Sequence, residues 1–333
     1  MQAETRNTHF TMNPKTLILF FFLGLGIVHT TQAQQPKTIK TIIVDAGHGG
    51  SDFGARGQYE NSLNSAEKDI TLAISLKLVQ ELKKRFPDLN VVPTRTADIT
   101  QSVVEKANIA NKNNGDLFVC IHADSGPLKT GKRPTGTKTV TRYKITYKGK
   151  GRKKKKISTP YTVTENTYDY YKMPLTRRGT SVWIFAAHKT SDKLKAIMKD
   201  EGQTGDEFEI EAGADSSANA IDFSSPEGKA IAQVYAKTYQ EKSDKLASLI
   251  NEEVEKTNRP ALGVNQRQVG IWVLQATNMP AVLVETGFIN NEEDEKYLND
   301  PQGQQEMAET IANAIIRYKT QIESVPSNLS TNK

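Results

Sequence analysis

Residues 41–50 read Thr-Ile-Ile-Val-Asp-Ala-Gly-His-Gly-Gly. An apolar run of this length that ends in glycines predicts a buried strand followed by a tight turn. His48 stands in that turn, where glycines on either side let a metal ion or a substrate come close to the backbone. Two other segments share the design. Residues 117–121 run apolar into His122, and residues 282–284 run apolar into Glu285. Open α/β sheets bind their ligands outside the carboxyl ends of the strands, so the three ends are expected to converge on one site.

The chain around these runs alternates. Residues 67–86 carry Ile70, Ala73, Ile74, Leu76, Leu78, Val79 and Leu82 as a helical stripe. Residues 90–93 read as a short strand, 102–111 as a short helix and 180–186 as a further strand. Residues 227–256 form a long amphipathic pattern, 271–274 and 281–285 read as the last strands, and 302–318 close the domain as a helix. Alternating strands and helices predict an α/β fold, a mostly parallel open sheet flanked by helices.

Residues 1–33 have the layout of a secretory signal peptide. Lys15 precedes the apolar stretch 16–28, and Thr31-Gln32-Ala33 offers a small-residue cleavage site. The apolar core is shorter than the roughly 20 residues a membrane span needs, so no transmembrane segment is expected after cleavage. Of the five histidines, His9 and His29 leave with the leader, and His48, His122 and His188 remain. Residues 36–323 are expected to form one catalytic domain, with insertions at about 125–179 and 189–226, and 324–333 a polar tail. The single cysteine, Cys120, has no partner for an internal disulfide. Its place inside an apolar run reads as a buried, inert thiol.

The net charge of +6 is unevenly spread. Residues 125–164 hold thirteen Lys and Arg and no acidic residue. Alternation over 139–147 and 157–164, around a Lys-Gly-Lys-Gly turn and the charge run 152–156, predicts a basic β-hairpin. Residues 189–226 reverse the sign. A short helical stretch at 191–199 precedes eight acidic residues with no basic one over 200–222, which predicts an acidic, partly helical, flexible loop.

Catalytic zinc sites use three protein ligands from histidine nitrogens and carboxylate oxygens and keep one open position. His48, His122 and Glu67, which begins the first helix, supply such a set. Each has an ordinary structural reading when taken alone, and Glu67 in particular suits a helix N-terminus. Glu285, at the end of a buried strand, is costly to place without a partner. It is expected either to pair with a nearby cation or to act as a general base. No G-x-S-x-G and no phosphate-binding glycine loop competes with this constellation.

In these residues the chain resembles the zinc-dependent N-acetylmuramoyl-L-alanine amidases of the Amidase_3 family. The matching pieces are IIVDAGHGGSDFGARG, EKDITLAISLKLVQEL, VVPTRTAD, DLFVCIHAD and MPAVLVETGFINNEEDEKYL, spread over residues 42–298. The resemblance implies Zn2+ on His48, Glu67 and His122, with Glu285 catalytic. It implies cleavage of the amide between N-acetylmuramic acid and the L-alanine of the stem peptide, in wall turnover or daughter-cell separation. An exported enzyme of the periplasm or cell envelope is expected, acting on peptidoglycan and not on nucleic acid. Related amidases of the cell-division group carry an inserted helix whose Glu fills the open metal position. Glu201 is the first choice here, with Glu207, Glu209 and Glu211 as rivals and a solvated acidic loop as the alternative; an activator protein would relieve the block, and His188 is a candidate for holding substrate. Lys106 stands where the family usually has Arg, and it is not expected to touch the ligands. Two other readings are a non-catalytic wall-binding scaffold and a zinc peptidase acting on another amide. The basic hairpin is expected to strengthen association with the wall by screened electrostatics.

Overall fold

The computed structural model describes residues 38–185, 225–267 and 272–324. The described chain from Thr38 to Glu323 is one folded unit. The leader, the acidic insertion and most of the polar tail lie outside the described residues.

A six-stranded sheet organises the molecule in the order β2-β1-β3-β8-β6-β7. Its strands are β1 (Thr41–Ala46), β2 (Asn90–Pro93), β3 (Leu117–Asp124), β6 (Thr180–Phe185), β7 (Ala261–Arg267) and β8 (Ala281–Phe288). All neighbours run parallel except β6 and β8, which are antiparallel. The central strands are mostly apolar because helices cover both faces, as parallel sheets require. Every residue of β1 and of β8 is buried.

Successive side chains point to opposite faces of a strand. Ile42, Val44, Val119, Ile121 and Val284 pack on one side against α1 (Glu67–Arg85), α3 (Pro226–Glu255) and α6 (Pro301–Glu323). Ile43, Phe118, Cys120 and Leu283 pack on the other against α2 (Val103–Lys112) and α4 (Trp272–Ala276). Helix starts follow local chemistry. Ser102 and Glu105 close a capping box on α2, Ser225 caps α3 ahead of Pro226, and Asn291 caps α5 (Glu292–Asn299).

The basic segment forms a hairpin of β4 (Thr130–Lys148) and β5 (Lys155–Lys172), paired as a separate two-stranded sheet. It is far longer than the alternation at 139–147 and 157–164 suggests. The missed parts, rich in Thr, Lys and Tyr, are exposed or only half-buried on both faces and so carry no apolar alternation. The strand expected over 271–274 is not found in its described part: Trp272–Ala276 is a helical turn. Val273 and Leu274 reach the core from it, while Asn111 bonds the Ala276 carbonyl and the Asn278 amide. Strand β7 and helix α5 are further elements that apolar patterning did not reveal. No described helix is long and apolar enough to cross a membrane.

Candidate metal centre

The sheet brings the three strand ends together. β1 and β3 pair side by side, with Ala46 opposite Ile121, and β3 pairs with β8 so that His122 lies opposite Glu285. His48 leaves β1 at a backbone φ of 60° and is followed by Gly49 and Gly50, also at positive φ. A non-glycine residue in this left-handed region is strained and persists only where its surroundings impose it. Here buried cations impose it. Arg95 donates to the carbonyls of Ala46, Gly47 and Lys68. Lys106 donates to the Ala46 carbonyl at 2.5 Å and to the His48 carbonyl at 3.4 Å. Lys106 therefore reaches the backbone of a site residue, contrary to the expectation that it stays clear of them. The sequence gives no sign of this, because a helix lysine normally faces solvent.

Ligand atoms of His48, Glu67 and His122 lie within 4.8 Å of one another. Glu67 sits at the start of α1, 4% exposed, yet it serves neither as cap nor as surface charge. One carboxylate oxygen lies 2.8 Å from His122 Nδ1 and accepts from the Ala123 amide at 3.0 Å. The other lies 3.1 Å from His48 Nε2 and accepts from the Ala55 amide at 2.7 Å. Burial alone would raise the Glu67 pKa, but the two imidazoles outweigh it and hold the carboxyl well below its ordinary range. Burial likewise disfavours a charged His48, yet Glu67 and Asp52 together raise its pKa.

Asp52 is a further residue of the candidate site that sequence reasoning missed. Its Oδ2 lies 2.8 Å from His48 Nδ1, leaving Nε2 turned toward Glu67. A carboxylate on the far nitrogen is the usual way a metal-binding histidine is oriented. The available signal was an Asp four residues after the His, inside the same glycine-rich turn.

The donor set fits zinc: one buried carboxylate and two half-buried imidazoles that converge on it. The space around it also fits. A Cβ on Gly47 would lie 2.6 Å from the His122 ring, and one on Gly54 would lie 2.5 Å from Glu67 Oε2. Both glycines are thus required by close approach to the donor side chains.

Glu285 is 7% exposed and takes its place through the β3–β8 and β6–β8 registers, between His122 and Ser181. The next residue, Thr286, donates its hydroxyl to the His122 carbonyl at 2.8 Å, which ties the two strand ends together. Cys120 is buried, as expected. Its thiol donates to Asp45 at 2.8 Å, and burial followed by the Asp45 charge pushes its pKa up. Such a thiol is unsuited to nucleophilic work. His188 and Glu201 lie outside the described residues.

Comparison with known proteins bears on this site. The family model described as N-acetylmuramoyl-L-alanine amidase matches residues 42–317. The amidase AmiC of Escherichia coli O6:H1 is 28% identical over 279 residues, covering 83% of this chain and 52% of that protein. The amidase AmiA of Salmonella typhimurium is 28% identical over 292 residues, covering 85% of this chain and 79% of that protein. The chain spans little more than half the length of some of the curated relatives it matches. A crystal structure of an N-acetylmuramoyl-L-alanine amidase from Clostridium difficile 630 superposes with a TM-score of 0.50 at 20% identity, covering 85% of this chain and 97% of that one. That likeness concerns the fold.

Proposed function

Because this chain belongs to the family of N-acetylmuramoyl-L-alanine amidases, we propose that it hydrolyses the amide between N-acetylmuramic acid and the L-alanine of the stem peptide. The observation that carries the reading is the convergence of His48, Glu67 and His122 beside Glu285 on the neighbouring strand. In this reading the three residues hold one Zn2+. A zinc ion held there would supply Lewis acidity to the amide carbonyl and would lower the pKa of water enough to make a hydroxide nucleophile available near neutral pH.

The side chains do the rest. Asp52 fixes the His48 ring through Nδ1 and leaves Nε2 facing the space it shares with the Glu67 carboxylate. Arg95 and Lys106 hold the turn that carries His48. Glu285 takes the proton from the attacking water and returns it to the alanine nitrogen as the C–N bond breaks, which leaves the sugar with a lactyl carboxylate and the peptide with a free amine.

The enzyme is proposed to be exported to the periplasm or cell envelope, where it acts in wall turnover or cell separation. Self-inhibition by Glu201, relief by an activator protein and a substrate contact by His188 are part of the same proposal. They rest on the sequence alone.

Mass spectrometry of purified sacculi after digestion tests the activity. Peptide-free glycan with intact stem peptides is expected, and removal of the metal with a chelator should abolish it. Cut stem peptides would identify a peptidase, and an unchanged sacculus a scaffold. Deleting residues 190–224 should raise turnover if the insertion is inhibitory, and a folded deletion variant no more active than the parent would remove that part.

A further inference from the structure

The β4–β5 hairpin takes no part in the site chemistry, and its outer end combines two features. Between Lys148 and Lys156 seven of nine residues are Lys or Arg, and the first acidic residue on the returning strand is Glu165. Next to this tip, large apolar side chains stand in solvent. Tyr143, Ile145 and Tyr147 alternate along β4 and so share one face. Their cross-strand partners Pro160, Ser158 and Lys156 add no cover. Ile157 stands on the other face, opposite Thr146. Ile145 is 49% exposed and Ile157 40%.

We propose that this tip docks on an anionic lipid surface. Charge complementarity selects an anionic partner, since clustered Lys and Arg gain from the negative potential of a bilayer. The apolar residues choose among anions. Tyrosine rings suit either a sugar face or a lipid headgroup layer. Isoleucine on both faces of a thin ribbon gains nothing from a hydrated glycan but gains from burial at the headgroup–acyl boundary. The register of the hairpin therefore points to lipid rather than to the wall polymer expected from charge alone. This inference rests on the exported location proposed above.

The test is co-sedimentation of the full mature chain with two vesicle preparations, phosphatidylcholine alone and equal parts phosphatidylcholine and phosphatidylglycerol. Binding to the anionic vesicles should be at least about tenfold stronger and should weaken with added salt. The Ile145→Ser, Ile157→Ser double variant keeps the charge and should lose most of the binding. The Ile145→Leu, Ile157→Leu variant should retain it, which separates loss of apolar contact from disturbance of the strands. Equal binding to both vesicles, or a serine variant that binds like the parent, would overturn the proposal. So would a tip variant that loses sacculus binding while vesicle binding stays. Turnover of a soluble muropeptide should be unchanged in every variant. Failure of the parent on that substrate would count against the amidase reading and leave the vesicle result standing.

Discussion

His48 is held from two directions, by Asp52 on ring Nδ1 and by Lys106 at its carbonyl, while Nε2 faces the space it shares with the Glu67 carboxylate. Asp52→Asn keeps the shape but weakens the anchor, and zinc affinity is expected to fall ~10–100-fold in competition against a chelator. Full affinity in that variant would show that Asp52 does not orient the ring. Glu285→Gln should retain zinc and lose ~10²–10⁴-fold in turnover, because an amide cannot carry the catalytic proton. Near-parental turnover with bound metal would exclude Glu285 as the acid–base. His48, Glu67, His122 and Glu285 were legible in the sequence because each closely follows an apolar run or begins a helical stripe. Asp52, Arg95 and Lys106 were not, because side chains that hold a backbone turn leave no periodicity. A charged residue in a loop or on a short helix reads as surface until the fold buries it.

At the scale of elements, α5 reaches back to the segment that leads into Glu67. Glu295, fully buried, accepts from the Tyr59, Ser62 and Ser65 hydroxyls and from the Leu63 and Ser65 amides. Burial opposes its ionisation, but these donors outweigh burial and lower its pKa. A carboxyl whose folded pKa is depressed contributes stability that is complete above its unfolded value of about 4.3. That contribution is lost as pH falls through the folded value. Glu295→Gln is therefore expected to cost ~1–3 kcal/mol near neutral pH. The gap in melting temperature between parent and variant should narrow as pH falls below about 4; a gap that does not change with pH would rule out the ionised carboxylate as its source. Helix α5, strand β7 and the α4 turn were the elements that patterning handled worst. A four-residue apolar run cannot be told from one buried helical turn by periodicity alone. β7, Ala261–Arg267, is an edge strand of mixed polarity with Gly263 at φ 83°. The long amphipathic helices and the central strands carried enough repeats to be read directly.

For the whole molecule, the hairpin and the sheet domain form separate sheets. The hairpin is joined to the rest near its base, through the Lys172 carbonyl to the Glu60 amide and the Arg133–Glu60 ion pair. Thr130 pairs directly with Lys172, so the hairpin can be cut back and closed by a two-residue turn. Replacing residues 131–171 by Asn-Gly should leave the melting temperature within a few degrees of the parent and keep turnover of a soluble muropeptide. Unfolding of this variant would show that the hairpin braces the domain. The length of the hairpin has a consequence of its own. β4 has 19 residues, and at about 3.3 Å per residue the ribbon reaches roughly 60 Å. It begins eight positions after His122. With the tip moored as proposed, the site at the base of the ribbon would sit up to one ribbon length from the mooring, and bonds within that distance would be the ones it reaches.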